Sequence, residues 1–150
     1  MPQSLSKIIL HIIFSTQNRQ PLIFKELQNE MHSYIATICK TNKSHPIKIG
    51  GTPDHIHIAA TLHRTVTVSK LLEEIKKGSS KWFKHKDERL QNFAWQCGYA
   101  AFSISQSHVE KLIQYIEQQE EHHRKKSFQE ELREFLINYG VEYDERYVWD

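Results

Sequence analysis

Apolar and polar positions along the first half of the chain predict a strand, a helix and a hairpin. Residues 6–14 are rich in isoleucine and indicate a buried strand. Apolar residues then recur at three- and four-residue steps over 21–40, which is typical of a helix with one buried face. Strands are predicted at 46–49 and 55–62, and the Gly-Gly-Thr-Pro-Asp segment 50–54 between them has the composition of a tight turn.

The second half of the chain predicts one more helix and strand, followed by helices alone. The spacing of apolar residues predicts a helix over 67–77, which Gly78 would end. A strand rich in aromatic residues follows over 93–104. Further helices are predicted to start near 105–107 and to run over 128–139, where Gly140 follows.

The order β-α-β-β-α-β followed by two helices is typical of the ferredoxin-like split βαβ fold, an α+β antiparallel sheet. Two helices would cover one face of this sheet. The other face then needs the C-terminal helices, a partner or a ligand to cover it. The length of 150 residues fits one domain. We expect a ferredoxin-like core over about 1–105 and a helical appendage over about 106–150.

The small net charge of +2 hides an uneven distribution of charged residues. The first 90 residues contain 14 Lys or Arg against 7 Asp or Glu, whereas residues 110–150 contain 6 against 11. A basic surface on one part of a protein is what phosphate binding requires. The total charge alone is therefore a poor argument against a nucleic-acid partner.

Cysteine usage and the length of the apolar runs indicate the cellular compartment. Cys39 and Cys97 lie 58 positions apart and form no CxxC motif, which excludes a disulfide framework and a cysteine-zinc site. Such usage suits a reducing cytoplasm. No apolar stretch reaches the length of about 20 residues that spans a bilayer, and the N-terminus has no cleavage signal. We expect a cytoplasmic protein with no membrane partner.

The His55-Ile56-His57 segment carries the first candidate for chemistry. Alternate residues of a strand share one face and lie about 6.6 Å apart along the backbone, so the two imidazoles could converge on one metal ion. A bare HxH is more often a pair of histidines on a half-polar sheet face. The turn before His55 places the pair at the start of a strand, where a site is reachable.

Tyr115 and Gln119 form the second candidate. They are four residues apart, so they stack on one face of a helix, beside the apolar Leu112 and Ile116. A tyrosine held there could act as a nucleophile, and the glutamine amide oxygen could bind a metal. The alternative is an ordinary amphipathic helix with a boundary tyrosine and a solvated glutamine.

Together these segments give the chain a family resemblance along nearly its whole length. It resembles the single-tyrosine HUH transposases of bacterial insertion sequences, a group that includes the REP-associated tyrosine transposases. The resemblance depends on the order and spacing of several motifs: Phe14-Ser15-Thr16, the Gly-Gly-Thr-Pro-Asp-His-Ile-His segment 50–57, the Lys-Lys-Gly-Ser-Ser-Lys segment 76–81, Trp95-Gln96-x-Gly-Tyr99, and Tyr115-Ile-Glu-Gln-Gln-Glu-Glu-His-His.

The resemblance implies a ferredoxin-like or RRM-like fold and a metal-dependent transposase that cleaves and rejoins single-stranded DNA carrying a hairpin. It implies that Tyr115 is the nucleophile and forms a 5′-phosphotyrosine. His55, His57 and Gln119 would hold a divalent metal, Mg²⁺ or Mn²⁺, and no nucleotide cofactor is needed. The family also implies a homodimer whose active sites could be shared between subunits.

The lysine-rich segment that follows Ile75 is the predicted contact with DNA phosphates, because such contacts supply affinity with strong salt dependence. Trp82 and Phe83 could stack on unpaired bases. The alternative is a solvated helix face. The predicted DNA-binding residues are Lys76, Lys77, Ser79, Ser80, Lys81, Lys84 and Lys86.

Three other functions stay open at the level of sequence. A host-adapted relative would use the same chemistry as a nuclease or strand transferase on palindromic repeats. A non-catalytic RRM-like nucleic-acid-binding protein would need aromatic residues on its central strands, where this chain has His55 and His57. An unrelated metal hydrolase on the same scaffold would have no use for Tyr115.

Overall fold

A four-stranded antiparallel sheet carries helices on both of its faces. The computed structural model of the chain describes residues 2–150. Short 3-10 turns lie at 17–19, 88–90 and 106–108. The strands and helices are β1 (Ile8–Ser15), α1 (Lys25–Thr41), β2 (Pro46–Thr52), β3 (His55–Leu62), α2 (Val68–Lys86), β4 (Ala100–Ile104), α3 (Val109–Glu117), α4 (Gln119–His122) and α5 (Phe128–Asn138).

The strands lie in the order β2-β3-β1-β4, and every neighbouring pair is antiparallel. This arrangement confirms the predicted α+β ferredoxin-like fold. In the register of the two central strands, Ile13 lies opposite His57 and Ser15 lies opposite His55. The HxH pair therefore occupies a central strand, flanked by β1 on one side and β2 on the other.

One face of the sheet forms the main hydrophobic core under α1 and α2. Alternate residues of β1 and β3 point into it, as the two-residue period of a strand requires. The helices contribute buried residues at three- and four-residue steps, which places their apolar stripes against the sheet. The core includes Ile12, Phe14, Ile56 and Ile58 from the strands, and Met31, Ile35, Leu71, Leu72 and Ile75 from the helices.

The C-terminal helices cover the opposite face, where the histidines lie. Helix α3 packs Leu112 and Ile116 on Ala59 of β3. Helix α5 packs on the β1–β4 side of the same face, in a cluster of Ile13, Phe102, Phe128, Leu132 and Leu136. The sequence leaves open whether the C-terminal helices, a partner or a ligand covers this face; in the structure the C-terminal helices do so.

Gly78 does not end the second helix, which was predicted to stop there and instead continues to Lys86. A Cβ atom at Gly78 would lie 2.7 Å from Cδ1 of Ile38 on α1. The glycine therefore allows α1 and α2 to approach closely. Gly78 therefore serves the packing of two helices. The pattern of residues along the chain does not distinguish this role of a glycine from the ending of a helix.

Other predicted boundaries also differ from the structure, and β2 continues to Thr52, into the segment predicted as a turn. The strand predicted over 93–104 is confined to Ala100–Ile104, because Phe93 and Trp95 turn into the main core, and Trp95 makes only an isolated bridge with Thr16. The first helix begins at Lys25 instead of near residue 21, because the amide of Ile23 donates to the carbonyl of Pro53 at 2.9 Å and holds the preceding segment extended. Within residues 2–150, no helix has both the length and the apolarity needed to cross a bilayer.

Gly50 allows α3 to lie directly on the backbone of β2, so Gly50→Ala is expected to destabilise the fold. A Cβ atom there would lie 2.7 Å from both the carbonyl oxygen and Cγ2 of Ile116. A backbone atom cannot move aside as a flexible side chain can, and overpacking of this kind costs about 1–3 kcal/mol. Chemical denaturation measures this loss. Gly98→Ala is the control, since its nearest neighbours lie 3.9 Å away; equal stability of the two variants would contradict the account.

Candidate metal and tyrosine site

His55 and His57 project from β3 into the space between the sheet and the C-terminal helices, and both are completely buried. Their ring centroids lie 5.1 Å apart. The strand period places both side chains on one face, as predicted. The covering of that face by α5 makes the pair an interior feature of the protein instead of a solvated one.

The tight turn before β3 orients the ring of His55. Nδ1 of His55 lies 2.7 Å from Oδ1 of Asp54 and 2.8 Å from Oγ1 of Thr52. Burial would raise the pKa of Asp54, but its hydrogen bond and charge interaction with His55 lower the pKa overall. The carboxylate accepts the proton of Nδ1, which leaves Nε2 directed into the site. Metal-binding histidines are commonly held by such a partner.

His11 of β1 holds His57 in the same way. Nε2 of His11 lies 2.7 Å from Nδ1 of His57, so one of these nitrogens donates to the other. Burial lowers the pKa of His11 to about 3 and the pKa of His57 to about 4. The charge interaction with His57 lowers the pKa of His11 further, whereas Glu131 acts to raise the pKa of His57. Both rings are therefore neutral near pH 7, the form that has a lone pair for a metal.

The structure brings Tyr115 and Gln119 to the histidines of the same chain. Oε1 of Gln119 lies 3.1 Å from Nε2 of His55. The ring centroids of Tyr115 and His57 lie 5.7 Å apart. The one-turn spacing is kept across the junction of α3 and α4, where Nε2 of Gln119 donates to the carbonyl of Tyr115 at 3.3 Å.

Glu131 of α5 joins the two halves of the site, and sequence reasoning missed it. Its Oε1 lies 3.0 Å from Nε2 of His57 and 3.6 Å from Nε2 of His55. Its Oε2 accepts a hydrogen bond from the Tyr115 hydroxyl and lies 3.2 Å from Nε2 of His123. The signal available in the sequence was a charged residue on the apolar stripe of α5, which also contains Phe128, Leu132 and Leu136.

The electrostatics of the cluster fix its protonation state. Burial would raise the pKa of Glu131, but the close rings of His123 and His57 lower it well below its usual range, so the carboxyl is ionised. Burial raises the pKa of the Tyr115 phenol, and the charge of Glu131 raises it further. Tyr115 therefore rests as a neutral phenol that donates its proton to a carboxylate.

The donor set fits a divalent cation. One ligand atom from each of His55, His57, His123 and Glu131 lies within 4.8 Å of the others. Nε2 of His123 is buried and has no hydrogen-bond partner within residues 2–150, although Glu131 is close. Imidazole nitrogens and a carboxylate oxygen are ligands for zinc, manganese and iron. An orphaned nitrogen directed into an anionic, imidazole-lined cluster is a feature that a bound cation would satisfy.

A family model described as "Transposase IS200 like" matches residues 4–119, which is more than half of the chain. The chain belongs to the IS200-like transposase family. The match contains His55, His57, Tyr115 and Gln119, and it ends before the remaining members of the cluster. His123 and Glu131 of this transposase therefore lie outside the segment that defines the family.

Solved structures show the same fold at low sequence identity. A candidate transposase from Deinococcus radiodurans R1 is 18% identical, with a TM-score of 0.62 over 79% of this chain and 98% of that chain. A REP-associated tyrosine transposase bound to a REP hairpin is 19% identical, with a TM-score of 0.55 over 77% of this chain and 68% of that chain. No curated protein matches the sequence.

The predicted DNA-binding residues of this transposase all lie on α2, on the face of the sheet opposite to Tyr115. Lys77, Lys81 and Lys84 are exposed there. Ser79 must be removed from the set, because it is completely buried, donates to the carbonyl of Ile75 and accepts a hydrogen bond from the Trp95 indole.

The remaining residues of the predicted set differ in how freely they can reach a phosphate. Nζ of Lys76 donates to the carbonyls of Gln96, Cys97 and Gly98, and burial lowers its pKa to about 8. Lys86 is exposed and pairs with Glu30 at 2.7 Å. Ser80 is half-buried. Phe83 is completely buried, which removes it as a stacking residue.

A cavity of about 360 Å³ opens beside Tyr115 and gives access to the site from solvent. The segment that follows Gln119 supplies the basic side chains of its lining. The lining residues are Tyr115, Gln118, Glu121, His122, Lys125 and Lys126.

Lowering the pH from 6.5 to about 5 is expected to destabilise the metal-free protein. His11 and His57 have folded pKa values below the ordinary value of 6.5, so over this window the unfolded chain binds protons that the folded chain does not. The free energy of unfolding then falls by up to about 1.4 kcal/mol per pH unit for each histidine. Chemical denaturation in the presence of a chelator measures this slope.

Other shifted groups of the cluster act outside this window. The pKa of Glu131 is lowered from 4.5, so its contribution is lost only at more acidic pH. The pKa of His123 is raised from 6.5, so its contribution changes only above that pH. His11→Gln should give a shallower slope than the wild-type chain. Stability that is flat or increases as the pH falls from 6.5 to about 5 would contradict the account.

Proposed function

We propose that this transposase cleaves and rejoins single-stranded DNA at a hairpin through a covalent 5′-phosphotyrosine at Tyr115. The observation that carries the proposal is that the Tyr115 hydroxyl and Nε2 of His57 contact the same carboxylate, that of Glu131. A nucleophile and a candidate metal site thus lie within reach of one phosphate. Membership of the IS200-like family supports the same chemistry.

The proposed metal ligands are His55, His57 and Gln119, with Mg²⁺ or Mn²⁺ as the ion. A divalent ion bound there supplies Lewis-acid polarisation and orientation of the scissile phosphate. Two imidazoles favour Mn²⁺ over Mg²⁺, which prefers oxygen ligands. The partners of the two rings, Asp54 and His11, hold them in place for this task.

The proposed chemistry balances without a nucleotide cofactor. The phenol oxygen of Tyr115 attacks the phosphorus, and the bond from phosphorus to the 3′-oxygen breaks. The 3′-oxygen takes up one proton and leaves as a hydroxyl, which balances the proton that the phenol loses. The phenol proton passes to an acceptor, and Oε2 of Glu131 already accepts its hydrogen bond. A second 3′-hydroxyl then attacks the phosphotyrosine, which restores Tyr115 and joins the strands while conserving the energy of the ester bond.

The cavity beside Tyr115 is the proposed route of the DNA strand to the nucleophile. Lys125 and Lys126 line it, and positive charge next to a scissile phosphate favours binding of the strand. The α2 lysines would then contact more distant phosphates of the hairpin. The solved neighbour that holds a REP hairpin supports a hairpin substrate for this chain.

The homodimer stays a prediction. The strand order leaves β2 and β4 as the two edges to which a second copy could add. Tyr115 already reaches the cluster around His57 of its own chain, so the proposed chemistry does not require subunits to share residues.

The alternative functions differ in how well they fit the geometry. A non-catalytic RRM-like binder would present its sheet to RNA or DNA, whereas α3 and α5 cover that face here. A host-adapted strand transferase acting on palindromic repeats would use the same residues in the same way, so it is a variant of this proposal.

Tyr115→Phe is expected to abolish covalent attachment of DNA to the protein. The assay incubates the wild-type chain with a single-stranded hairpin oligonucleotide labelled at its 3′ end and Mn²⁺, and denaturing electrophoresis detects the protein–DNA adduct. Tyr143→Phe is the matched control, because Tyr143 is an exposed tyrosine of the C-terminal tail. An adduct that persists in Tyr115→Phe, or no adduct of the wild-type chain with any hairpin substrate, would overturn the assignment.

Replacing Lys77, Lys81 and Lys84 together with glutamine is expected to weaken hairpin binding and reduce its salt dependence. Removing one lysine–phosphate interaction with a single strand lowers the slope of log K against log[salt] by about 0.7, so the slope should fall by about 2 for all three. Fluorescence anisotropy at several salt concentrations measures it. The control replaces Lys7, Lys40 and Lys43, which are exposed lysines outside the α2 segment. Equal slopes for both triple variants would show that α2 does not face the DNA.

A further inference from the structure

We propose that Glu131 of α5 is itself a ligand of the divalent ion, and that its second carboxylate oxygen positions the hydroxyl of Tyr115. This inference rests on the metal dependence in the proposed function and changes the ligand set given there. It adds a charged residue from a helix that lies outside the segment matched by the family.

Three imidazole rings face the one carboxylate of Glu131. Its two oxygens lie 3.0, 3.6 and 3.2 Å from the Nε2 atoms of His57, His55 and His123. All three rings therefore direct the same nitrogen at one group. A small displacement of these side chains is enough to place a cation between them, since the ligand atoms already lie within 4.8 Å of one another.

The polar atoms that face one another in the cluster support a cation at this position. Nδ1 of His55 is held by Asp54, and its Nε2 lies 3.1 Å from Oε1 of Gln119. Nε2 of His123 is buried and has no hydrogen-bond partner within the described residues. A divalent ion bound by these nitrogens would offset the buried negative charge of Glu131.

An opposite role for Glu131 is that its carboxylate only occupies the place of the scissile phosphate and must leave before the metal or DNA binds. The packing argues against this role. Phe128 and Leu132 flank Glu131 on the buried stripe of α5, and Phe128 also contacts His55 at a centroid distance of 4.7 Å. Moving the carboxylate away would require its side chain to turn among these packed residues and would break its hydrogen bond with the Tyr115 hydroxyl.

The geometry also explains how one residue can couple the metal to the nucleophile. Oε1 faces the histidine pair and Oε2 faces the Tyr115 hydroxyl, so ligation by the first oxygen fixes the second. Glu131 therefore acts on Tyr115 as a positioning residue. Two histidines and one carboxylate form a common ligand set for divalent iron and manganese, with open positions for substrate oxygens.

The test is binding of Mn²⁺ to the full chain without DNA, measured by titration calorimetry and by the electron paramagnetic resonance signal of free Mn²⁺. Glu131→Gln keeps the shape of the side chain and removes its charge. It should weaken Mn²⁺ binding by about tenfold or more, the size of effect seen when groups at a metal site are altered. Glu130→Gln, at the neighbouring position on α5, should bind Mn²⁺ as the wild-type chain does.

Unchanged or tighter Mn²⁺ binding by Glu131→Gln would overturn the inference, because a carboxylate that competes with the ion would give that result. Absence of Mn²⁺ binding by the wild-type chain would overturn it as well. Circular dichroism tests that the variant folds. If it does not, Glu131→Asp serves instead, because it keeps the charge and shortens the side chain by one methylene. This variant should bind Mn²⁺ more weakly than the wild-type chain.

The outcome separates this inference from the proposed function. A wild-type chain that forms the Tyr115 adduct, with Mn²⁺ affinity independent of Glu131, contradicts only the role of Glu131. A chain whose Mn²⁺ affinity depends on Glu131 but that forms no adduct with any hairpin contradicts only the proposed function.

Discussion

The ionised carboxylate of Glu131, buried among imidazole rings, is the interaction on which the arrangement of the site depends. An unpaired buried charge is costly, so this carboxylate requires hydrogen bonds and positive charge around it. His57 and Tyr115 supply hydrogen bonds, the ring of His123 lies 3.2 Å away, and each of the three comes from a different segment of the fold. The same interaction fixes α5 over the sheet and holds the tyrosine near the HxH pair.

The fold makes this interaction possible by giving the sheet two different faces. The face toward α1 and α2 is mainly apolar and supplies most of the hydrophobic core. The face toward α3 and α5 combines small apolar clusters with the polar site, because alternate residues of β1 and β3 place His11, His55 and His57 there. The main hydrophobic core and the candidate site thus lie on opposite faces of the same strands. The backbone hydrogen bonds between β1 and β3 keep the histidines in register.

The parts of this arrangement that the sequence predicts are the local ones. His55 and His57 share a face because of the two-residue strand period, and Tyr115 and Gln119 stack because of the helical turn. The role of Glu131 was not predictable in this way, since α5 meets β3 only after the chain has folded back over more than 70 residues. Gly78 was misinterpreted for a related reason: its neighbour, Ile38, lies 40 positions away. The prediction that Ser79 contacts DNA is wrong for the same reason. Whether a helical residue is exposed depends on what packs against it, and Ser79 lies under Trp95, 16 positions further along the chain.

The central claim is that one chain holds a divalent ion with the histidines of β3 and presents Tyr115 to that same ion. Anomalous diffraction at the manganese absorption edge, from crystals of the full chain grown with Mn²⁺ and a hairpin oligonucleotide, tests it most directly. The account predicts one strong anomalous peak in ligand contact with Nε2 of His55 and His57, with the Tyr115 hydroxyl of the same chain facing a phosphate bound to the ion. A peak elsewhere, or a Tyr115 side chain directed away from the ion, would contradict it.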